Sequence, residues 1–193
     1  MKLLLVFSNL IYSVVINSTI NNLNNNIKDY SYIDAQASVV VSDFEIKEDK
    51  FQEQFYFNGE HVDVIGKKIE KYVNSTLNGK GQFIAEYSLS VGLDPYLAAA
   101  VMLQETGCYW TCSRMVRTCN NVGGNKGKPS CNGGSYRRFD TIDDGIKFAI
   151  NKLNSYYKKG KTTAKEINPH YAQDKTWYKK VNNYMKKIKN AKV

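Results

Sequence analysis

The stretch "GLDPYLAAAVMLQETG", residues 92–107, decides how the chain folds. Asp94 has the side chain of a helix N-cap, Pro95 the fixed φ that suits a first helical position, and Gly107 the freedom to leave a helix in the left-handed region. Between them runs the apolar, helix-prone segment "YLAAAVML", so the punctuation predicts a helix that ends at Gly107. The segment ends on one carboxylate, Glu105. At the negative end of the helix dipole and beside apolar neighbours, a carboxyl is harder to ionise, which keeps a proton available near neutral pH. A general acid requires that property.

Other helices are read outward from this one. Ile65, Ile69, Tyr72 and Val73 recur at helical spacing and predict a helix from Val64 to near Asn78-Gly79, and a second runs from about Phe83 to Val91. "TIDDGIKFAINKLNSYY" has Thr141 as N-cap, Asp143 and Asp144 in the first turn, and Ile146, Ala149, Ile150 and Leu153 on one face. A short helix is expected over Thr163 to Ile167, then a final amphipathic one carrying Trp177, Val181, Tyr184, Met185 and Ile188. The segment from Cys108 to Asp140 is rich in Gly, Asn and Cys and reads as a cross-linked loop or small β-lobe. The fold class is therefore mainly α, an α+β helical domain with one irregular, disulfide-braced lobe over residues 61–193.

Ahead of it, residues 1–20 read as a secretory signal, with an uncleaved membrane anchor as the alternative, because the apolar run from Leu3 to Ile16 is short of the ~20 residues of a membrane span. Residues 21–60 read as an asparagine-rich linker with a short strand or hairpin outside the main core near its end. A secreted or wall- or membrane-associated protein follows, a phage virion included.

Four cysteines, Cys108, Cys112, Cys119 and Cys131, are all the chain has. In an exported protein they read as two disulfides; their spacing lacks the paired CxxC knuckles of a zinc site, which stays as the alternative. Cys108 and Cys112 would be strained partners if the helix continued through them, so each is expected to pair with one of Cys119 and Cys131. Lys and Arg number 27 against 18 Asp and Glu, a net +9 with lysines crowded after Lys147. This suits anionic wall polymers; no nucleic-acid motif accompanies it, and no cofactor or metal is expected.

Four blocks in order resemble the bacterial glucosaminidase family of peptidoglycan hydrolases, in the lysozyme-like superfamily: "LQETG", "NNVGGNKG" at Asn120 to Gly127, "YRRFDTIDDGIKFAINKLNSYY" from Tyr136, and "HYAQDKTWYKKV" from His170. The resemblance implies that Glu105 is the catalytic acid and that Tyr171 lies near the cleavage point. Asn121, Gly124, Asn125 and Lys126 offer amides and bare backbone for sugar acetamido and hydroxyl groups, while Tyr136 and Arg137 offer an aromatic face and a guanidinium. Glycosidases generally use two carboxylates, yet from Cys108 to Phe139 the chain has no Asp or Glu. Asp140, or alternatively Asp174, is the candidate second group. The expected function is cleavage of the peptidoglycan strand after N-acetylglucosamine. The alternatives are a lytic transglycosylase using Glu105 alone, and a non-catalytic wall-binding module of a phage tail or of a secretion or conjugation apparatus.

Overall fold

A computed structural model describes residues 55–193 of the chain. The signal or anchor over 1–20 and most of the linker over 21–60 lie outside the described residues. Seven α-helices and one small hairpin make up the described fold, so it is mainly helical, as expected.

The hairpin pairs β1 (Tyr56–Phe57) with β2 (Glu60–His61), Tyr56 opposite His61 and Phe57 opposite Glu60. Its turn is Asn58-Gly59, both at positive φ (51° and 79°), the backbone that twists in the sense of the flanking strands. It is docked rather than set apart: Phe57 packs against the core, and Glu60 accepts a 2.5 Å hydrogen bond from the Tyr96 hydroxyl and pairs with Lys68.

Helix α1 (Val62–Glu70) buries Val62, Ile65 and Ile69, and α2 (Gly81–Ser90) buries Ile84, Ala85 and Ser88. They cross with backbones nearly touching, since a Cβ on Gly81 would sit 2.5 Å from the Gly66 carbonyl oxygen. Glu70 closes the join, its carboxylate accepting from the amides of Gly79 (2.6 Å) and Gly81 (2.7 Å) at the start of α2. The expected first helix was to run on to Asn78-Gly79; it stops at Glu70, and a single 3-10 turn follows over Ser75–Leu77. The Asn74 amide there bonds outward to Cys108 O at 2.7 Å, and Ser75 takes a positive φ of 55°, which helical continuation does not allow.

Helix α3 (Pro95–Thr106) is the centre of the core, with Asp94 accepting from the amides of Tyr96 and Leu97 and Gly107 leaving at φ 67°. Everything from Pro95 to Leu103 on it is buried. Next come α4 (Arg114–Cys119), α5 (Ile142–Tyr157, capped by Thr141), α6 (Ala164–Tyr171) and α7 (Trp177–Lys189). Helix α7 lies antiparallel along α3, because Trp177 at its start reaches Glu105 while Lys189 at its end reaches Asp94 (3.6 Å) and the Tyr96 ring (5.2 Å). Helix α6 outruns the expected Thr163 to Ile167. A Thr163–Glu166 capping box starts it, and Pro169, which reads as a stop, is accommodated in its last turn.

The lobe between α3 and α5 is irregular apart from α4 and two isolated bridges, Lys126 with Tyr136 and Ser130 with Arg137. The disulfides correct the expected pairing: Cys108 joins Cys112, and Cys119 joins Cys131. The expectation failed on its premise. Gly107 ends the helix before Cys108, so the five residues from Cys108 to Cys112 form a tight turn whose ends lie 4.1 Å apart at Cα, close enough to bridge.

Candidate active site

Glu105 is the penultimate residue of α3 and half-buried where α3, α7 and the lobe meet. Its Oε1 accepts a 2.8 Å hydrogen bond from the Trp177 indole Nε1. Its Oε2 faces the backbone of Gly124, where a Cβ would stand 3.3 Å away and where φ is +59°. Glycine therefore serves twice at Gly124, for the turn and for the close approach. Burial holds the Glu105 carboxyl above the ordinary carboxylate range, opposed by the indole hydrogen bond and by the charge of Lys152.

The loop after α4 is folded onto this carboxyl by its asparagines. Asn120 takes the left-handed conformation (φ 54°) and donates from Nδ2 to the carbonyls of Phe139 (3.0 Å) and Asp140 (3.1 Å). The buried Asn121 donates to Asn125 O (2.8 Å) and Arg137 O (2.7 Å) and accepts from the Asn125 amide (2.9 Å). From beneath, α5 presses against the loop, since a Cβ on Gly145 would come within 1.9 Å of Asn120 O. Larger residues at Gly145 would separate the lobe from the helix.

Tyr171, at the end of α6, donates its hydroxyl to Gly123 O at 3.2 Å and lays its ring 5.0 Å from that of Trp177. Burial first, and the neighbouring Glu105 second, keep this phenol protonated far above its ordinary range. Lys152 of α5 stands over the Tyr171 ring at 4.7 Å and donates to Asn125 Oδ1 at 3.0 Å. Burial lowers its pKa, and the nearby carboxylate of Glu105 works against that. A buried acid pushed up and a buried amine pushed down, in one cluster with a phenol and an indole, is the pattern of groups held for proton transfer.

Of the residues singled out from sequence, Glu105, Gly124, Asn125 and Tyr171 come together here. Asn121 is an internal brace whose amide is spent on backbone. Lys126 and Tyr136 face solvent on the lobe, joined by their bridge. Arg137 lays its guanidinium over Phe148 (4.9 Å) and Phe139 (5.5 Å). Asp140 is exposed before α5, and the contact it gives is its backbone carbonyl to Asn120. Asp174 is engaged elsewhere, accepting from Thr176 and pairing with Lys180 at 2.9 Å, which holds it well below the usual carboxylate range.

Two members of the cluster were not singled out. Trp177 reads as part of the apolar face of α7, and Lys152 as one lysine among many beside an apolar stripe. The two small residues at Gly123-Gly124, which let a chain pass close to a side chain, are the sequence signal that pointed to the right place.

The family model for glucosaminidase, described as mannosyl-glycoprotein endo-beta-N-acetylglucosaminidase, matches residues 81–190. That span covers more than half of the chain and includes Glu105, the Asn120 to Asn125 loop, Lys152, Tyr171 and Trp177. No curated protein matches the chain.

Proposed function

The chain belongs to the glucosaminidase family, and on that premise we propose that it is an exported glycosidase that hydrolyses the peptidoglycan strand after N-acetylglucosamine, with Glu105 as general acid. The observation that carries the reading is the state of Glu105. Burial favours its protonated form, while an indole N–H and an ammonium stand ready for the carboxylate formed once that proton passes to the leaving glycosidic oxygen. Interactions stronger after proton transfer than before lower the barrier to it. Tyr171 fixes the Gly123-Gly124 backbone against the acid, and Lys152 fixes Asn125. The two disulfides support export to an oxidising compartment, and the lysines of α7 suit a wall carrying phosphate and carboxylate.

One observation favours a second reading. Among the described residues, the charged group that acts on Glu105 is a cation, Lys152, and Asp174 is engaged with Lys180 instead. A lytic transglycosylase needs one acid that later takes a proton back, the sugar's own hydroxyl closing an anhydro ring. Digestion of purified wall, borohydride reduction and mass spectrometry separate the two. Reducible N-acetylglucosamine ends are expected; anhydro-muramic ends would replace the hydrolase by the transglycosylase. No lysis by the wild-type chain, under conditions where it is folded, would remove both in favour of a wall-binding module.

A further inference from the structure

The turn after Gly107 presents an aromatic platform that the site above does not use. Trp110 is 77% exposed, while the other tryptophan, Trp177, is 3% exposed. One exposed ring is ordinary on a protein surface; this one differs in being held in place. The segment carrying it is held from several sides. Cys108 and Cys112 clasp its ends, the Asn74 amide bonds Cys108 O, Asn74 Nδ2 bonds Tyr109 O at 3.3 Å, and the Ser113 amide returns to Thr106 O at 2.8 Å. Under Trp110, Tyr109 makes an edge contact at 4.9 Å and itself packs on Tyr72 (5.8 Å) and Tyr184 (6.4 Å). Tyr184 and Trp177 are seven residues apart on α7, hence on one face and about 10 Å apart along the axis. Trp177 holds Glu105, and Trp110 follows Glu105 by five residues, so the platform stands within ~18 Å of the acid along the chain.

We propose that Trp110 is a sugar-stacking subsite, taking the apolar face of an amino-sugar ring of the same glycan strand beyond those that flank the scissile bond. This rests on the glycosidase reading. The area decides the occupant. One indole offers roughly 150–250 Å², against the ~800 Å² per partner of a stable protein interface. The other exposed large hydrophobics among the described residues, Tyr56, Tyr136 and Val193, lie outside this cluster, so there is no broad apolar face for lipid. A pre-ordered single ring fits a partner with one flat apolar face, and a strand threaded past Glu105 brings such faces within reach.

The test uses the full chain as Glu105→Gln, so that substrate is bound and not cut, with peptide-free glycan hexasaccharides and disaccharides as probes. The hexasaccharide should shield tryptophan emission from acrylamide quenching. Adding Trp110→Ala should abolish that shielding and weaken hexasaccharide binding on the order of tenfold, the effect of burying roughly 55 Å² of apolar surface. Disaccharide binding and the melting temperature should stay unchanged, and Trp110→Tyr should restore most of the affinity. Equal hexasaccharide affinity with and without Trp110, equal losses for both probes, or shielding by phosphatidylglycerol vesicles and not by glycan would each overturn the subsite. Wild-type lysis of wall, measured in parallel, separates the failures. With lysis intact such results remove the subsite alone; without lysis the glycosidase reading falls and takes the subsite with it.

Discussion

Replacing Trp177 by Phe tests the electrostatic account of Glu105 most directly. The indole N–H is 2.8 Å from Glu105 Oε1 and favours the ionised form, so removing it must raise the carboxyl pKa above an already raised value. A hydrogen bond to a charged group is worth about 1.5–3 kcal/mol, and a pKa unit corresponds to about 1.4 kcal/mol, which gives an upward shift of about 1–2 units. Because Glu105 is half-buried, solvent can supply part of the lost donation and draw the shift toward the lower figure. Phe keeps a ring against Tyr171, now 5.0 Å from Trp177, and the smaller side chain costs about 1–3 kcal/mol of stability. A general acid loses activity as pH rises through its pKa. The alkaline limb of wall lysis by the variant should therefore move up by about one to two pH units, whatever happens to the maximal rate. A limb that stays in place or moves down, in protein that still melts cooperatively, would refute the assignment of the proton donor.

Glu105→Gln should abolish lysis and also stabilise the fold. A carboxyl with a raised folded-state pKa contributes stability that is complete below its ordinary value of 4.5 and is lost as pH rises through the folded value. The melting temperature of the variant should exceed that of the wild type at pH 8 and converge with it below pH ~4. Gly124→Ala should cut lysis more than stability, since the added methyl meets Glu105 Oε2 at 3.3 Å, while the left-handed backbone at φ +59° costs about 1–2 kcal/mol; unchanged lysis would place the carboxyl elsewhere. Removing Cys119–Cys131, which spans 12 positions, should cost about 3 kcal/mol, and removing Cys108–Cys112, which spans 4, about 2 kcal/mol, read from denaturant midpoints. Peptide mapping that crosses the two pairs would overturn the connectivity.

What the sequence makes legible is whatever is written locally. Asp94, Pro95 and Gly107 bound α3 because capping and the left-handed exit are properties of single residues, and Thr141 does the same for α5. Where a distant partner decides, the reading stops. Helix α1 ends at Glu70 because Asn74 is needed at Cys108, and α2 starts where Glu70 can cap it. Glu105 is legible as the one charge closing an apolar helix, and Gly124 as part of a run of small residues. Lys152 is not, because a lysine at the edge of an amphipathic stripe looks solvated until Asn125 and Tyr171 arrive from other elements. Asp140 is read by nearness in sequence, and nearness in sequence does not say which way a side chain turns.

The cation beside Glu105 bears on the proposed chemistry more than the second carboxylate that the described residues do not bring to it. A second carboxylate beside Glu105 would raise its pKa by repulsion and would equally resist the charge that appears when the proton leaves. Burial also raises the pKa by penalising the ionised form, but it penalises a charge of either sign, so the same burial lowers the pKa of Lys152. Lys152 and Trp177 then act mainly on the ionised state: the ammonium, itself disfavoured by burial, gains a counter-charge only when Glu105 has given up its proton. The step that discharges Glu105 is therefore the step that gives Lys152 its counter-charge. An acid so placed donates readily and, with the indole still bound, remains oriented to take a proton back in the next step. With Glu105 as the proposed acid, hydrolysis and ring closure by the sugar share that sequence of one group giving and regaining a proton, and what reaches the sugar carbon on the other side decides the product.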